Sequence, residues 1–266
     1  MRFYTNVSPY GDQLLVRGFE NGERFEDRIT WTPRLYLPTR GESKYQSLSG
    51  KKLAPKTYSS IKEARSAIKR YEDHDSFIHG TDRFQYQYIS DAYPGIVDYD
   101  REKLRIYTID IEVTAEQGFP NVNQAVEEMI CITVKDHNTK NILVWGLVDF
   151  QVKQKNVHYV KCKGEKDLLI QFLKFWHKYP PDIITGWNSK YFDLPYLVNR
   201  MKKIIGESAT KRLSPWGIID EDTAYVRGKS QTFFRLLGIA QLDYLQLYTK
   251  FTIKMQERYT LDHIAF

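Results

Sequence analysis

One stretch of the chain, Tyr107-Thr108-Ile109-Asp110-Ile111-Glu112-Val113-Thr114, alternates β-branched apolar residues with polar ones. This period of two predicts a β-strand, because successive side chains of a strand point to opposite faces of the sheet. The isoleucines and the valine would face a core, and Asp110 and Glu112 would share the other face. Neighbouring carboxylates repel unless a cation lies between them, so the pair is a candidate ligand set for a hard divalent ion. A strand with one wet face alternates in the same way, and this stretch alone favours that simpler interpretation.

The segments around this stretch predict a sheet combined with helices. Strands are expected at 105–113, 130–136 and 142–148. A helix with apolar residues at helical spacing follows at 164–178, and consecutive prolines end it. A short buried strand is expected next, at 182–186. Strands and helices in this order are typical of α/β or α+β proteins.

A second informative segment, Gly186-Trp187-Asn188-Ser189-Lys190-Tyr191-Phe192-Asp193-Leu194-Pro195-Tyr196, joins that strand to a helix. Ligand sites of open α/β sheets gather beyond strand ends. Asp193 is positioned as a helix N-cap, with Pro195 in the first turn and Gly206 closing the helix. Taken alone, Asp193 is interpreted as a capping residue, although a cap carboxylate at a strand end can also bind a metal.

The first hundred residues have a different character, and the change near residue 104 predicts two domains. Short alternating strands such as 13–19 dominate, and Asn21-Gly22 is a hairpin signal. Ser60 and Glu63 form a plausible capping box at the start of an amphipathic helix.

Composition narrows the class of protein. The 266 residues are 42% hydrophobic and 14% aromatic, which excludes disorder as the main state. A net charge of +6 is a mild bias toward polyanionic partners. Two cysteines, Cys131 and Cys162, are too few for a disulfide framework or a cysteine zinc site and favour a reducing compartment. The longest apolar run, 142–148, is far shorter than the roughly 20 residues that span a bilayer. We therefore expect no membrane-spanning segment and no membrane among the binding partners.

Together the two informative segments resemble the first two exonuclease motifs of the family B DNA polymerases, Asp-x-Glu on a strand and Asn-x-x-x-Phe-Asp at a helix start. The resemblance covers nearly the whole chain and is looser over the first hundred residues. Further segments look like the polymerases of T-even-type bacteriophages, namely 118–120, 205–208, 211–215, 236–239 and 242–244.

This resemblance implies both fold and function. A ribonuclease-H-like 3′-to-5′ exonuclease domain, with a mixed sheet and flanking helices, is expected at 105–266. A smaller mixed α+β N-terminal domain is expected at 1–104. The implied activity is proofreading, which removes mispaired 3′-terminal nucleotides from single-stranded or frayed primer-template DNA by two-metal hydrolysis with Mg²⁺ or Mn²⁺. The implied location is the cytoplasm of the infected bacterial host.

The same resemblance assigns roles to three carboxylates. Asp110 would bridge both ions, Glu112 would help hold the ion that bears the attacking water, and Asp193 would serve the second ion.

Three further residues would contact the substrate. Asn188 and Phe192 would help seat the terminal nucleotide, and Phe119 is a candidate for stacking on an unpaired base. Phe119 is equally well interpreted as a loop aromatic that fills a local core. Residues 224–234 predict a hairpin whose Arg227 and Lys229 would contact phosphate or, on the simpler interpretation, would be part of a solvated turn.

The chain departs from the family pattern at its end. The third exonuclease motif, Tyr-x-x-x-Asp, is expected beyond Leu261-Asp262-His263, but the sequence ends at Phe266. We therefore expect an exonuclease domain truncated before its third motif, impaired in isolation and without a polymerase active site. Its partner would be a C-terminal polymerase portion, either a separate chain of a split polymerase or a missing part.

The alternative function is a non-catalytic nucleic-acid-binding or assembly subunit of a split polymerase, with RNA as a possible ligand of the N-terminal domain. Three anions beside the ligand would weaken a pure phosphate binder, so the carboxylates favour the enzyme.

Overall fold

The computed structural model describes residues 1–72, 78–116, 118–226, 228–254 and 256–265. These residues form two compact units, Met1–Tyr99 and Asp100–Phe266. The assignment of 1–104 as the N-terminal domain and 105–266 as the exonuclease domain stays a prediction.

The first unit contains two small antiparallel sheets, ordered β1-β2-β3 and β4-β6-β5. Asn21 and Gly22 join β2 to β3 with φ values of 52° and 87°, the left-handed backbone that a two-residue hairpin loop requires. This confirms the hairpin predicted at Asn21-Gly22. The strands are β1 (Arg2–Tyr10), β2 (Gln13–Glu20), β3 (Glu23–Thr30), β4 (Arg34–Pro38), β5 (Tyr45–Gln46) and β6 (Lys52–Thr57).

Two helices, α1 (Ile61–Glu72) and α2 (Phe84–Ala92), complete this unit. The Ser60 hydroxyl accepts a hydrogen bond from the Glu63 amide at 3.1 Å, as the capping box predicts. The Glu63 carboxylate accepts from the Ser59 amide at 2.8 Å rather than from Ser60, so the reciprocal bond is displaced by one residue.

The second unit is built on a six-stranded mixed sheet with the order β10-β9-β8-β7-β11-β14. Strands β7, β8 and β9 pair antiparallel, whereas β10 is parallel to β9, and β11 is parallel to both β7 and β14. Its strands, with a separate hairpin of β12 and β13, are β7 (Ile106–Val113), β8 (Met129–Asp136), β9 (Ile142–Gly146), β10 (Val157–Lys161), β11 (Ile183–Gly186), β12 (Ile219–Val226), β13 (Lys229–Leu236) and β14 (Ala240–Asp243).

Helices pack against this sheet around a large apolar core. α3 contacts β8 and β9, and α4 contacts β7. Trp176 of α3 is buried at 1% exposure, and its indole N–H donates to the Leu213 carbonyl at 2.8 Å. The helices are α3 (Glu165–Lys178), α4 (Asp193–Ile205), α5 (Glu207–Thr210), α6 (Tyr244–Phe251) and α7 (Leu261–Ala265), with 3₁₀ turns at Arg101–Lys103 and Lys211–Leu213.

The observed fold confirms the predicted class, a mixed sheet flanked by helices. The predicted strands 105–113 and 142–148 differ only at their ends, since β7 begins at Ile106 and β9 ends at Gly146. Strand β10 was not predicted, because this short edge strand carries polar residues and lacks clear alternation. Cys131 and Cys162 are free thiols. Among the described residues, the helices are all too short or too polar to cross a bilayer.

Candidate active site

Strand β7 presents the acidic pair as the alternation predicts. Ile109 and Ile111 are buried at 1% and 5% exposure, whereas Asp110 and Glu112 are exposed on the opposite face. The pairing with β8 shifts register between Glu112 and Val113, so the strand is irregular directly beside the acidic pair.

The turn between β11 and α4 brings a third carboxylate to this strand. Asn188 adopts a left-handed φ of 60°, and its carbonyl accepts from the amides of Tyr191 and Phe192 at 3.1 and 3.0 Å. Gly186 permits a close approach, because a Cβ there would lie 2.7 Å from the Ile109 carbonyl oxygen. The turn is therefore tight, and it starts α4 beside β7.

Asp193 is the first residue of α4 and is 4% exposed. Its Oδ1 accepts a hydrogen bond from the Ile111 amide at 3.1 Å. Phe192 is the N-cap residue, and its side chain makes no capping hydrogen bond. The interpretation of Asp193 as a capping residue is therefore wrong, because its carboxylate faces the neighbouring strand.

The electrostatics of Asp193 reflect this position. Burial, followed by the negative charge of Asp110, raises the pKa of Asp193 to about 7, and the Asp243 carboxylate adds to the rise. The Ile111 amide opposes it, since a donor favours the charged form. Desolvation raises the pKa of Asp110 as well. Asp193 therefore keeps its proton to a higher pH than an ordinary carboxyl, because it is buried and lies near the charge of Asp110, whose own side chain reaches solvent.

This donor set fits a hard divalent ion in its chemistry. Carboxylate oxygens are the ligands that Mg²⁺ and Mn²⁺ prefer, and a cation would offset the repulsion between Asp110 and Asp193. Within the ranges that the structure describes, no group of three or more His, Cys, Asp or Glu side chains is arranged to hold a metal ion. It therefore stays a prediction that the carboxylates of Asp110, Glu112 and Asp193 together form one metal site.

Three aromatic side chains pack together at the start of α4. Phe119 is 86% exposed, and its ring centroid is 5.4 Å from that of Phe192. Phe192 in turn lies 6.0 Å from the Tyr196 ring. An exposed Phe119 does not fill a local core, so that alternative is wrong, whereas stacking on a base stays a prediction. Asn188 is half-buried in the turn, and its contact with a nucleotide also stays a prediction.

Comparison with known proteins identifies the family. Residues 51–264 match the model for the exonuclease domain of DNA polymerase family B. The chain belongs to this family. The predicted resemblance to the family B polymerases of T-even-type phages is confirmed, and the family is one of enzymes.

The most informative relatives are phage polymerases. The chain is 33% identical to the DNA-directed DNA polymerase of Escherichia phage RB69 over 291 aligned residues, covering 99% of this chain and 32% of that protein. The corresponding protein of Enterobacteria phage T4 is 31% identical over 289 residues, with 99% and 32% covered. A DNA polymerase of Pyrococcus glycovorans is 31% identical over 104 residues, with 39% and 12% covered. The chain thus spans about a third of the length of the phage polymerases and matches their N-terminal part.

The predicted hairpin of this family B domain is present. β12 and β13 pair antiparallel from Ile219↔Leu236 to Val226↔Lys229. Arg227 and the side chain of Lys229 lie outside the described residues, so their contact with phosphate stays a prediction.

Sequence reasoning missed a residue that the structure connects to the Asp193 turn. Asp243, at the end of β14, is 3% exposed and accepts from the Lys190 amide at 2.9 Å. An Asp directly before a helix predicts only an N-cap. No local signal indicates a bond to a turn 53 residues earlier.

Proposed function

We propose that this chain carries the 3′-to-5′ proofreading exonuclease of a family B DNA polymerase. The observation that carries the proposal is the buried Asp193 carboxylate, which is held against β7 by the Ile111 amide and interacts with Asp110. A buried carboxylate beside a second carboxylate costs stability unless a cation offsets the charges, and catalytic carboxylates are often found in this situation.

In this proposal Asp110, Glu112 and Asp193 hold two divalent ions, Mg²⁺ or Mn²⁺. When bound, such ions supply an activated water and stabilise the leaving 3′ oxygen. The protein's own contribution is orientation. The Ile111 amide fixes one oxygen of Asp193, and strand alternation aims Asp110 and Glu112 at the same face.

The proposed substrate is the 3′ end of single-stranded or frayed primer-template DNA. Asn188 and Phe192 would seat the terminal nucleotide, and exposed Phe119 would stack on an unpaired base. Base-aromatic stacking needs no particular sequence, which suits an enzyme that acts on any mismatch. The net charge of +6 supports an anionic ligand.

A C-terminal polymerase portion is the proposed protein partner, within the cytoplasm of the infected bacterium. Large apolar side chains are exposed near the end of the second unit, at 74% for Phe251, 102% for Ile253 and 55% for Leu261. Large exposed apolar side chains in one stretch of the chain support a surface that another segment covers. Binding of RNA by the first unit stays a prediction.

A divalent-metal titration tests the proposal against the binding-module alternative. A 5′-labelled single-stranded oligonucleotide is incubated with the chain and its polymerase portion in EDTA-buffered Mg²⁺ or Mn²⁺. We expect stepwise shortening from the 3′ end that requires metal and is lost with Asp193→Asn. Asp167→Asn, which neutralises a half-buried carboxylate on α3, is the matched control and should leave shortening unchanged. Binding without shortening at any metal concentration would favour the binding module.

A further inference from the structure

Asp243 uses its two carboxylate oxygens for two different structural elements. Oδ1 accepts from the amides of Leu245 and Gln246 at 2.8 and 3.2 Å, at the start of α6. Oδ2 accepts from the amide of Lys190 at 2.9 Å, in the turn that precedes α4. At 3% exposure the side chain is shielded from water, so these bonds are the main compensation for burying its charge.

The helix cap alone does not require a carboxylate. Serine and asparagine cap helices about as well as aspartate, because a single oxygen suffices for the first amides. The second oxygen of Asp243 therefore serves a further purpose, which is to attach the end of β14 to the turn after β11. The parallel pairing of Gly186 with Asp243 brings these two strand ends side by side.

The turn that receives this bond determines where Asp193 lies. Asn188 adopts the left-handed backbone that asparagine tolerates better than most residues, and the rest of the turn is held by hydrogen bonds to its surroundings. The Ser189 carbonyl accepts from Leu194, and Asp193 itself accepts from Ile111. Lys190 lies between these anchor points, and its amide bond to Asp243 fixes the middle of the turn.

We propose that Asp243 is a positioning residue of the carboxylate site, which holds the turn of residues 188–192 so that Asp193 faces Asp110. This inference rests on the proposed exonuclease function. In this proposal Asp243 acts through its bond to the Lys190 backbone rather than on the substrate or a metal ion. Because catalysis by positioned groups is sensitive to displacements of about 1 Å, losing this bond should lower turnover by about 10²-fold.

The test compares variants in the chain combined with its polymerase portion. Asp243→Ser keeps a cap for α6 but is too short to reach Lys190, and Asp243→Asn offers one acceptor oxygen where two are needed. Gln246→Gly is the matched control, because it weakens α6 at an exposed position and leaves both Asp243 oxygens in place. The readouts are kcat and KM for a single-stranded oligonucleotide and the hydrogen exchange rate of the Lys190 amide.

We expect Asp243→Ser to lower kcat by about 10²-fold with KM within about twofold, and to speed Lys190 exchange at least about tenfold. Gln246→Gly should change neither. The inference is overturned if Asp243→Ser keeps native kcat, if kcat falls while Lys190 exchange is unchanged, or if Gln246→Gly reproduces the loss. Should Asp243→Ser fail to fold, the same readouts on Asp243→Asn decide.

Failure of the proposed function gives a different pattern. If the unaltered protein does not degrade DNA, the exonuclease proposal fails. The hydrogen exchange rate of the Lys190 amide is then the only readout of whether Asp243 holds the turn. A rate in the Asp243 variants equal to that of the unaltered protein overturns the inference.

Discussion

Neutralising Asp193 should stabilise the metal-free protein at alkaline pH. The carboxyl is 4% exposed, and burial and the Asp110 charge raise its pKa to about 7. At about 1.4 kcal/mol per pKa unit, the rise from the ordinary value of 3.8 corresponds to about 4 kcal/mol of unfolding free energy. Asp193→Asn removes the charge and keeps an oxygen that can accept from the Ile111 amide, so this cost should largely disappear.

The pH dependence has a definite sign. Between about pH 4 and pH 7 the folded protein holds a proton at Asp193 that the unfolded chain has released. Stability from this group therefore falls as the pH rises through that window, and the full cost is present above about pH 7. The gain from Asp193→Asn should be largest at pH 8 and close to zero near pH 4.

Urea unfolding in EDTA at pH 5 and pH 8 measures this effect. Asp110→Asn should give a smaller gain, because Asp110 is the second cause of the raised pKa after burial. Glu112→Gln controls for the loss of one exposed negative charge from the same strand face. When Mg²⁺ replaces EDTA at pH 8, it should stabilise the unaltered protein more than it stabilises the Asp193→Asn variant. If Asp193→Asn lowers stability equally at both pH values, burial of the Asp193 charge does not limit the stability of the fold.

Three further outcomes are expected. Phe119→Ala should weaken binding of unpaired 3′ ends by about 1–3 kcal/mol, measured by fluorescence anisotropy, and leave thermal stability unchanged. Phe150→Ala, which removes another exposed aromatic ring, should change neither, and equal affinities for the unaltered protein and both variants would exclude stacking. Arg200→Met should lower the free energy of unfolding by about 3–5 kcal/mol, because it leaves Glu165 buried without the partner that lies 2.5 Å away, and a loss below about 1 kcal/mol would contradict this. Single-stranded DNA should bind more tightly than duplex, with an affinity that falls steeply with salt, and equal affinity for both forms would count against a frayed-end substrate.

Local signals in the sequence were sufficient for most of the fold. The period of two in 107–114 predicts β7, and Asn21-Gly22 predicts the first hairpin loop. Gly206 ends α4 with a φ of 88°, which only glycine adopts at little cost. These features depend on residues close in sequence, so pattern and turn chemistry reveal them.

The parts that sequence reasoning missed depend on tertiary contacts. Asp193 has the local signature of a helix cap, but its carboxylate bonds to Ile111, 82 residues earlier. Asp243 likewise looks like a cap, and its bond to Lys190 exists only because β14 lies beside β11. The sheet order that creates both contacts is not encoded in the periodicity of any single segment.

Excision of a mismatched 3′ nucleotide distinguishes a proofreading exonuclease from a binding module. A primer-template with one mismatched 3′ base is incubated with Mg²⁺ and the chain alone, the chain with its polymerase portion, or that mixture carrying Asp110→Ala. We expect slow excision by the chain alone, fast excision by the mixture, and loss of excision with Asp110→Ala. A mixture that associates but leaves the mismatch intact would exclude the proofreading function, and one that excises it equally well with Asp110→Ala would exclude Asp110 from the catalytic site.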